Sequence, residues 1–400
     1  MSFTIEEYIN SLRSDVTSID VSDRNTLVLH DLYQVIPDLS RFTNLQTLNC
    51  CYNKITSLPS LPPSLEHLDC SSTNLTSLPS LPSSLKELDC NNTNLTSLPS
   101  LPSSLEYLEC RLNNITSLPS LPPSLRTLIC SYTNLTSLPS LPSSLKELDC
   151  NNTNLIRLPP SLPPSLESLD CSFNICIIGL PPLPPSLVYL DCSHTNITSF
   201  PSLPSSLKEL NCNNNLTSLP SLPSSLEYLE CCDNNFFSLP PLPPSLTHLN
   251  CNGNNLTSLP PLPPSLRRLE CCYNNLTNLP KLPPQIKTLE YNDNPIYDTI
   301  PLDIHMDYYG GYDEEYMAEY SLDAYQSDII NTINSKTLKI HKFKLLFYSL
   351  IYKKQLRDLL WIKIREPRIK QYYSPSNLVL LLEGVDDDDE DEFHRVLSNW

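Results

Sequence analysis

Glycine is nearly missing from this sequence: 400 residues contain five, Gly179, Gly253, Gly310, Gly311 and Gly384. So few cannot build the glycine-rich phosphate loops of nucleotide enzymes or a collagen triplet, and both classes are excluded. Long apolar runs are missing too. No stretch approaches the roughly 18 apolar residues of a membrane span, and residues 1 to 24 hold no apolar core of a secretory leader. An intracellular, soluble chain is expected, with its thiols mostly reduced. Basic charge is scarce: 26 Lys and Arg face 44 Asp and Glu, a formal net charge of −18. That balance repels phosphate backbones and anionic membranes, so no nucleic-acid partner is expected and a basic protein partner fits better.

The sequence is rich in proline, with 40, and cysteine, with 16. That much proline would suggest disorder in a polar chain, but 40% of the residues are hydrophobic and Leu recurs throughout. The recurrence is a repeat. LEHLDCSSTNLTSLPSLPSS, counted from Leu65 with small variation, returns from Leu85 as LKELDCNNTNLTSLPSLPSS and from Leu105 as LEYLECRLNNITSLPSLPPS. Thirteen copies begin at Leu45, Leu65, Leu85, Leu105, Leu125, Leu145, Leu166, Leu187, Leu207, Leu226, Leu246, Leu266 and Ile286, at steps of 19 to 21 residues. Periods near this length mark solenoids.

The segment LxxLxCxx(N/T)x(L/I) matches the leucine-rich repeat. With LPxLPxSL in place of a convex helix, it resembles the LPX-type repeats of the IpaH/YopM group of bacterial effectors. The Cys-bearing, Asn/Thr-rich copies are also similar to leucine-rich repeat proteins of mimivirus-like giant viruses, over roughly residues 27 to 300. The resemblance implies a horseshoe with parallel strands on its concave side and an extended, polyproline-like convex side. In the IpaH group a ubiquitin ligase follows the repeats and uses a Cys-x-Asp nucleophile. Here the last cysteine is Cys272, so that activity is not implied. YopM-like proteins act by binding, which implies a non-enzymatic chain.

The residues support the same fold independently. First, fourth and sixth positions (Leu65, Leu68, Cys70) alternate with polar residues and should point into the coil. Asn53, Asn113, Asn174, Asn234, Asn254, Asn274 and Asn294 recur three residues after the sixth position, where a buried amide can bond backbone of adjacent coils. Thr73, Thr93, Thr133, Thr153 and Thr195 hold the same place. Prolines between Pro59 and Pro284 forbid helix on the return path. Cys50, Cys70, Cys90, Cys110, Cys130 and Cys150, then Cys171, Cys192, Cys212, Cys231, Cys251 and Cys271, fill one inward column and read as inert core thiols. A linear stack spaced by about 4.8 Å does not supply tetrahedral zinc ligands, so no metal and no cofactor is expected. Asn-Leu-Thr and Asn-Ile-Thr sequons, as at Asn74, Asn114 and Asn255, follow from the repeat itself.

Residues 1–44 read as an N-terminal helix, with a Thr4/Glu7 capping box, and a degenerate capping repeat around Leu27 to Leu39. Residues 45–300 hold the thirteen repeats, 301–335 an acidic Tyr-rich linker, and 336–400 a helical C-terminal region with an acidic run at 386–392. The segment 336–370 is basic, with an apolar stripe through Phe343, Leu346, Phe347 and Leu350. Those helices read as a small bundle or as an adaptor that recruits a host complex.

Strand positions three and five should project from the concave face. Position five is acidic at Asp69, Asp89, Glu109, Asp149, Asp170, Asp191, Glu230, Glu270 and Glu290. Position three adds Tyr107, Tyr189, Tyr228, His67, His248 and Arg268. Position-two cations (Lys86, Arg126, Lys146, Lys208, Arg267, Lys287) are expected to offset the stacked acids. A stripe of acids with interspersed Tyr has the character of a groove for a basic protein segment. A soluble face copied by repeat duplication, calcium on the carboxylates, and a structural virion component remain open beside it.

Overall fold

The structure is a computed structural model that describes residues 4–22, 35–213 and 216–296. The chain divides into two units, Met1–Tyr308 and Tyr309–Trp400, and every described residue lies in the first. Residues 27–34 of the degenerate capping repeat expected around Leu27 to Leu39, the linker 301–335 and the helical region 336–400 with its acidic run lie outside the described residues.

Helix α1 (Ile5–Ser11) opens on a capping box: Thr4 Oγ1 accepts from the Glu7 amide at 3.1 Å, and the Glu7 carboxylate accepts from the Thr4 amide at 3.0 Å. Ile5 and Ile9 are buried, and the Ile9 carbonyl at the helix end accepts from the Arg41 guanidinium at 2.6 Å. Strand β1 (Ser18–Asp20) follows and pairs in parallel with β2 (Thr47–Asn49), Ile19 opposite Leu48. This strand was not expected from the sequence. Val16, Ile19 and Val21 hold the first, fourth and sixth positions of the repeat frame, but 29 residues separate Val16 from Leu45, so no periodicity reveals them.

From β2 each repeat contributes one three-residue strand, ending at β14 (Thr288–Glu290), and all fourteen strands lie in chain order in one parallel sheet. The chain therefore forms a parallel β-solenoid. Each strand spans positions three to five, with the middle Leu buried and the outer two residues more exposed. Backbone bonds tie successive coils outside the strands as well: the Lys86 amide donates to Glu66 O at 2.8 Å and the Asn94 amide to Leu75 O at 2.9 Å. The serine before the first-position Leu of the repeats from Leu65 to Leu266 is a further tie. Ser84, Ser104 and Ser124 each donate a hydroxyl at 2.6 Å to the first-position Leu carbonyl of the preceding coil.

Leu65, Leu85, Leu105 and Leu125 at position one, Leu75 and Leu95 at position eleven, and the whole cysteine column are fully buried. Burying each Leu contributes about 1.5–3 kcal/mol relative to exposure. Most column thiols donate to a carbonyl of the next strand, as where Cys70 Sγ donates to Asp89 O at 3.4 Å. Burial is the main cause that pushes these thiols up, Cys110 to about 12, so they are neutral hydrophobes at physiological pH. Cys51, Cys232 and Cys272, at position seven, are buried too. Cys176 alone among the 16 cysteines is exposed, on a loop that one inserted residue lengthens in the repeat at Leu166. A thiol reagent at mild alkaline pH should therefore titrate one cysteine in the native protein and all 16 after denaturation. Rapid native modification of several thiols would contradict the buried column.

Position eight is left-handed in coil after coil, yet glycine fills it only at Gly253 (φ 65°) among the described residues. Leu112 (φ 53°), Tyr132 (φ 52°) and Phe173 (φ 54°) hold it with bulky side chains, at a cost of about 1–2 kcal/mol each.

Candidate functional site

The outward face of the sheet is built from positions three and five, held in register by the strand pairing. Asp69 lies opposite Asp89 and Asp89 opposite Glu109, and Asp149, Asp170 and Asp191 form a second consecutive stack. The first finding about these acids is local. Asp69, Asp89, Asp149, Asp170 and Asp191 each turn one carboxylate oxygen to the amide two residues on, at 2.9–3.0 Å. These are Asx turns that end the strand. Asn49 and Asn250 cap the same turn with their amide oxygens, at 3.1 and 3.2 Å, so Asn can stand in for Asp there. Asn211 does not, since its Oδ1 has no partner among the described residues and the Asn213 amide takes Ser193 Oγ at 3.3 Å. The signal is present as Asp-Cys-Ser and Asp-Cys-Asn, but strand alternation alone marks the position only as surface.

Glutamate is too long for that turn. Where Glu230 and Glu270 stand, the amides of Cys232 and Cys272 take Asn213 and Asn252 Oδ1 of the preceding coil instead, at 2.7 and 2.6 Å. The glutamates are held by aromatic and basic neighbours: Tyr107 and Arg111 on Glu109, Tyr228 on Glu230 at 3.1 Å, and Arg268 on Glu270. Tyr107, Tyr189 and Tyr228 are half-buried, and burial with the adjacent carboxylate pushes the Tyr228 hydroxyl up to about 12. His67 meets Glu87 at 2.9 Å, and His248 lies 5.6 Å from the Tyr228 ring. The structure thus brings together every position-three and position-five residue named from the sequence, on one face.

The expected charge compensation is corrected. Lys86, Arg126, Lys146 and Lys208 pair with Glu66, Glu106, Glu167 and Glu227 at 2.7–3.3 Å. All of these partners occupy position two, because a side chain there neighbours its own row in the next coil rather than the column three residues away. Among the described residues, Arg267 and Lys287 form no ion pair, and Asp69, Asp89, Asp149, Asp170, Asp191 and Glu230 have no cationic partner. Burial, with Glu109 and Asp69 adding repulsion, outweighs the Asn91 bonds and lifts Asp89 to about 6. Asp170 is raised for the same leading reason, with Asp191 and Asp149 beside it.

Inside the coil, the predicted ladder is a chain of inter-coil bonds. Asn113 Nδ2 donates to Cys90 O, Cys110 O and Arg111 O at 2.9, 3.1 and 3.2 Å, while its Oδ1 accepts from Thr93 Oγ1 at 2.6 Å and the Leu95 amide at 2.9 Å. Asn53, Asn174, Asn234, Asn254, Asn274 and Asn294 make the corresponding amide-to-carbonyl bonds, and Thr73 and Thr133 bond one carbonyl each. Among the described residues, no group of three or more His, Cys, Asp or Glu is placed to hold a metal ion. No helix there is long and apolar enough to cross a membrane.

Family models for leucine-rich repeats match residues 43–83 and 245–264. The chain is similar to YopM from Yersinia pestis, a leucine-rich effector protein, at 31% identity and a TM-score of 0.54, over 69% of this chain and 88% of that one. This is a leucine-rich repeat protein. The repeat protein is also similar to YopM from Yersinia enterocolitica WA-314, at 41% identity and a TM-score of 0.64, over 66% of its own length. It spans 59% of that chain's length. A third similarity is to the functional domain of InlJ from Listeria monocytogenes, described as including a cysteine ladder, at 25% identity and a TM-score of 0.51 over 68% of this chain and 67% of that one. No curated protein matches the repeat protein.

Proposed function

We propose that this repeat protein is a non-enzymatic interaction scaffold that binds a basic protein segment on the acidic strand face, the concave face of a horseshoe. The leucine-rich repeat solenoid is typical of protein–protein interaction scaffolds, and the similarity to YopM, an effector, supports a role played through binding. One observation carries the reading toward a basic partner. Carboxylates stand in register along the sheet while the position-two cations expected to neutralise them pair elsewhere. Such a column is costly in the free protein and relieved by a cationic ligand, which gives charge complementarity both affinity and steering. Half-buried tyrosines already bonded to their neighbouring glutamates add rigid, amphipathic contact area. The LPX-like repeats and the likeness to giant-virus proteins fit a product that acts on a host protein.

The turn-capping role dictates the test. Asp→Lys would remove both charge and cap, whereas Asp→Asn removes the charge and keeps the cap, as Asn49 and Asn250 show. The variant with Asp69, Asp89, Asp170 and Asp191 all changed to Asn should fold and lose the basic proteins that wild type captures from a cell lysate. An unchanged set of captured proteins would refute the assignment.

A further inference from the structure

Beside the strand face, the turns after the strands form a second surface of a different chemistry. A shallow, open groove of about 560 Å³ crosses four coils there, lined from Asn92 to Asn154 entirely by Asn, Thr, Leu and Tyr. Its floor is spoken for. Thr93 and Thr153 and the ladder amide of Asn113 spend their polar atoms on backbone and on each other. Its rim is not: the side-chain amides of Asn94, Asn114, Asn134 and Asn154 are exposed and make no hydrogen bond among the described residues. One such amide recurs per coil, at about 4.8 Å.

Between these amides stand Leu112 and Tyr132, 46% and 50% exposed, on left-handed backbone. The flanking coils hold the same position with Asn92 and Asn152, residues that tolerate that conformation better. Tyr52, Phe173 and Tyr273 hold this left-handed position in coils outside the groove, so the conformation belongs to the repeat; what the middle coils add here is an apolar edge and an aromatic ring.

We propose that this groove binds a neutral oligosaccharide. The lining carries no charge in a chain of net charge −18, which disfavours ionic ligands of either sign as the intended occupant. Each free amide offers two donors and an acceptor, matching the hydroxyls of a sugar, and recurs at a spacing close to one pyranose ring. Tyr132 and Leu112 supply the flat apolar surface on which the CH face of a pyranose stacks. A neutral peptide could also use amides, but stepwise hydroxyl-matching with a single aromatic platform favours the sugar.

The full chain titrated calorimetrically with hexasaccharides of glucose, mannose or N-acetylglucosamine, each separately, tests this. At least one should bind with a Kd of about 1 mM or tighter. Tyr132→Ala should weaken it about tenfold with an unchanged unfolding midpoint. Should that variant fail to fold, Asn134→Asp, an exposed change that removes the amide donors, should weaken it similarly. No heat from any sugar at about 10 mM, binding indifferent to both variants, or displacement by a neutral Asn/Ser peptide of equal length would each overturn the proposal. Loss of protein capture by the neutralised strand face leaves this result unaffected, because none of the four aspartates lines the groove.

Discussion

Asn174→Ala is expected to lower the free energy of unfolding by about 3 kcal/mol or more, a large effect for removing one amide. Asn174 is fully buried and joins two coils through five bonds. Its Nδ2 donates to Cys150 O, Cys171 O and Ser172 O, and its Oδ1 accepts from Thr153 and from the Leu155 amide. Alanine leaves the Leu155 amide without this partner in a dry interior, at a cost of about 1–3 kcal/mol, and removes the tie to the Cys150 carbonyl, which keeps only the Thr153 hydroxyl. Threonine occurs at this position elsewhere, and Thr133 bonds only Cys130 O, at 2.7 Å. Asn174→Thr should therefore recover part of the loss, and Thr133→Ala should cost only about 1 kcal/mol. Urea unfolding monitored at two wavelengths would measure all three and show whether the array still unfolds as one unit. Equal, small losses for Asn174→Ala and Thr133→Ala would mean that the amide ladder does not bind the coils together.

The second large effect runs in the stabilising direction. Asp89→Asn combined with Asp170→Asn should raise stability at pH 7 by about 1–2 kcal/mol, after allowing for the partial exposure of both groups. Burial and like-charged neighbours hold Asp89 at about 6 in the folded chain, against about 3.9 when unfolded. A carboxyl raised in this way is protonated more readily in the folded state, so wild type gains stability as pH falls from 7 through 6 and levels off near 4. Asparagine keeps the turn cap and has no proton to take up, so the difference between variant and wild type should be greatest at pH 7 and shrink on acidification. Thermal melts at pH 4.5, 6 and 7.5 would show it. A variant less stable than wild type at pH 7.5 would mean that the carboxylates are favourable where they stand. A gain would mean that the acidic face is retained at the expense of stability, as binding surfaces commonly are.

The solenoid was legible because its information is periodic. Leu65, Leu68 and Cys70 repeat in one frame, and that frame alone places the strands, the core and the Asn/Thr ladder. Ser18–Asp20 escaped notice because it shares the frame without sharing the period. The site was legible to the level of which side chains share a face, since strand alternation settles that. Which of those side chains bond one another was not. Whether Lys86 meets Glu66 or Asp89 depends on the lateral offset between rows, a distance that spacing along the chain does not encode. The dual nature of the aspartates was visible in principle, since Asp followed two residues later by Ser or Asn is an Asx-turn pattern. Repetition made it look like surface charge alone.

Binding through charge on the strand face is the central proposal. The direct measurement is the affinity of a captured basic partner for wild type and for the Asp69, Asp89, Asp170 and Asp191→Asn variant, each at about 0.05 and 0.5 M salt. Wild type should bind tightly at low salt and lose affinity steeply as salt rises, while the variant binds at least about tenfold more weakly at low salt with a flatter dependence. Equal affinity and equal salt dependence in the two proteins would contradict the account and place the binding surface elsewhere on the chain.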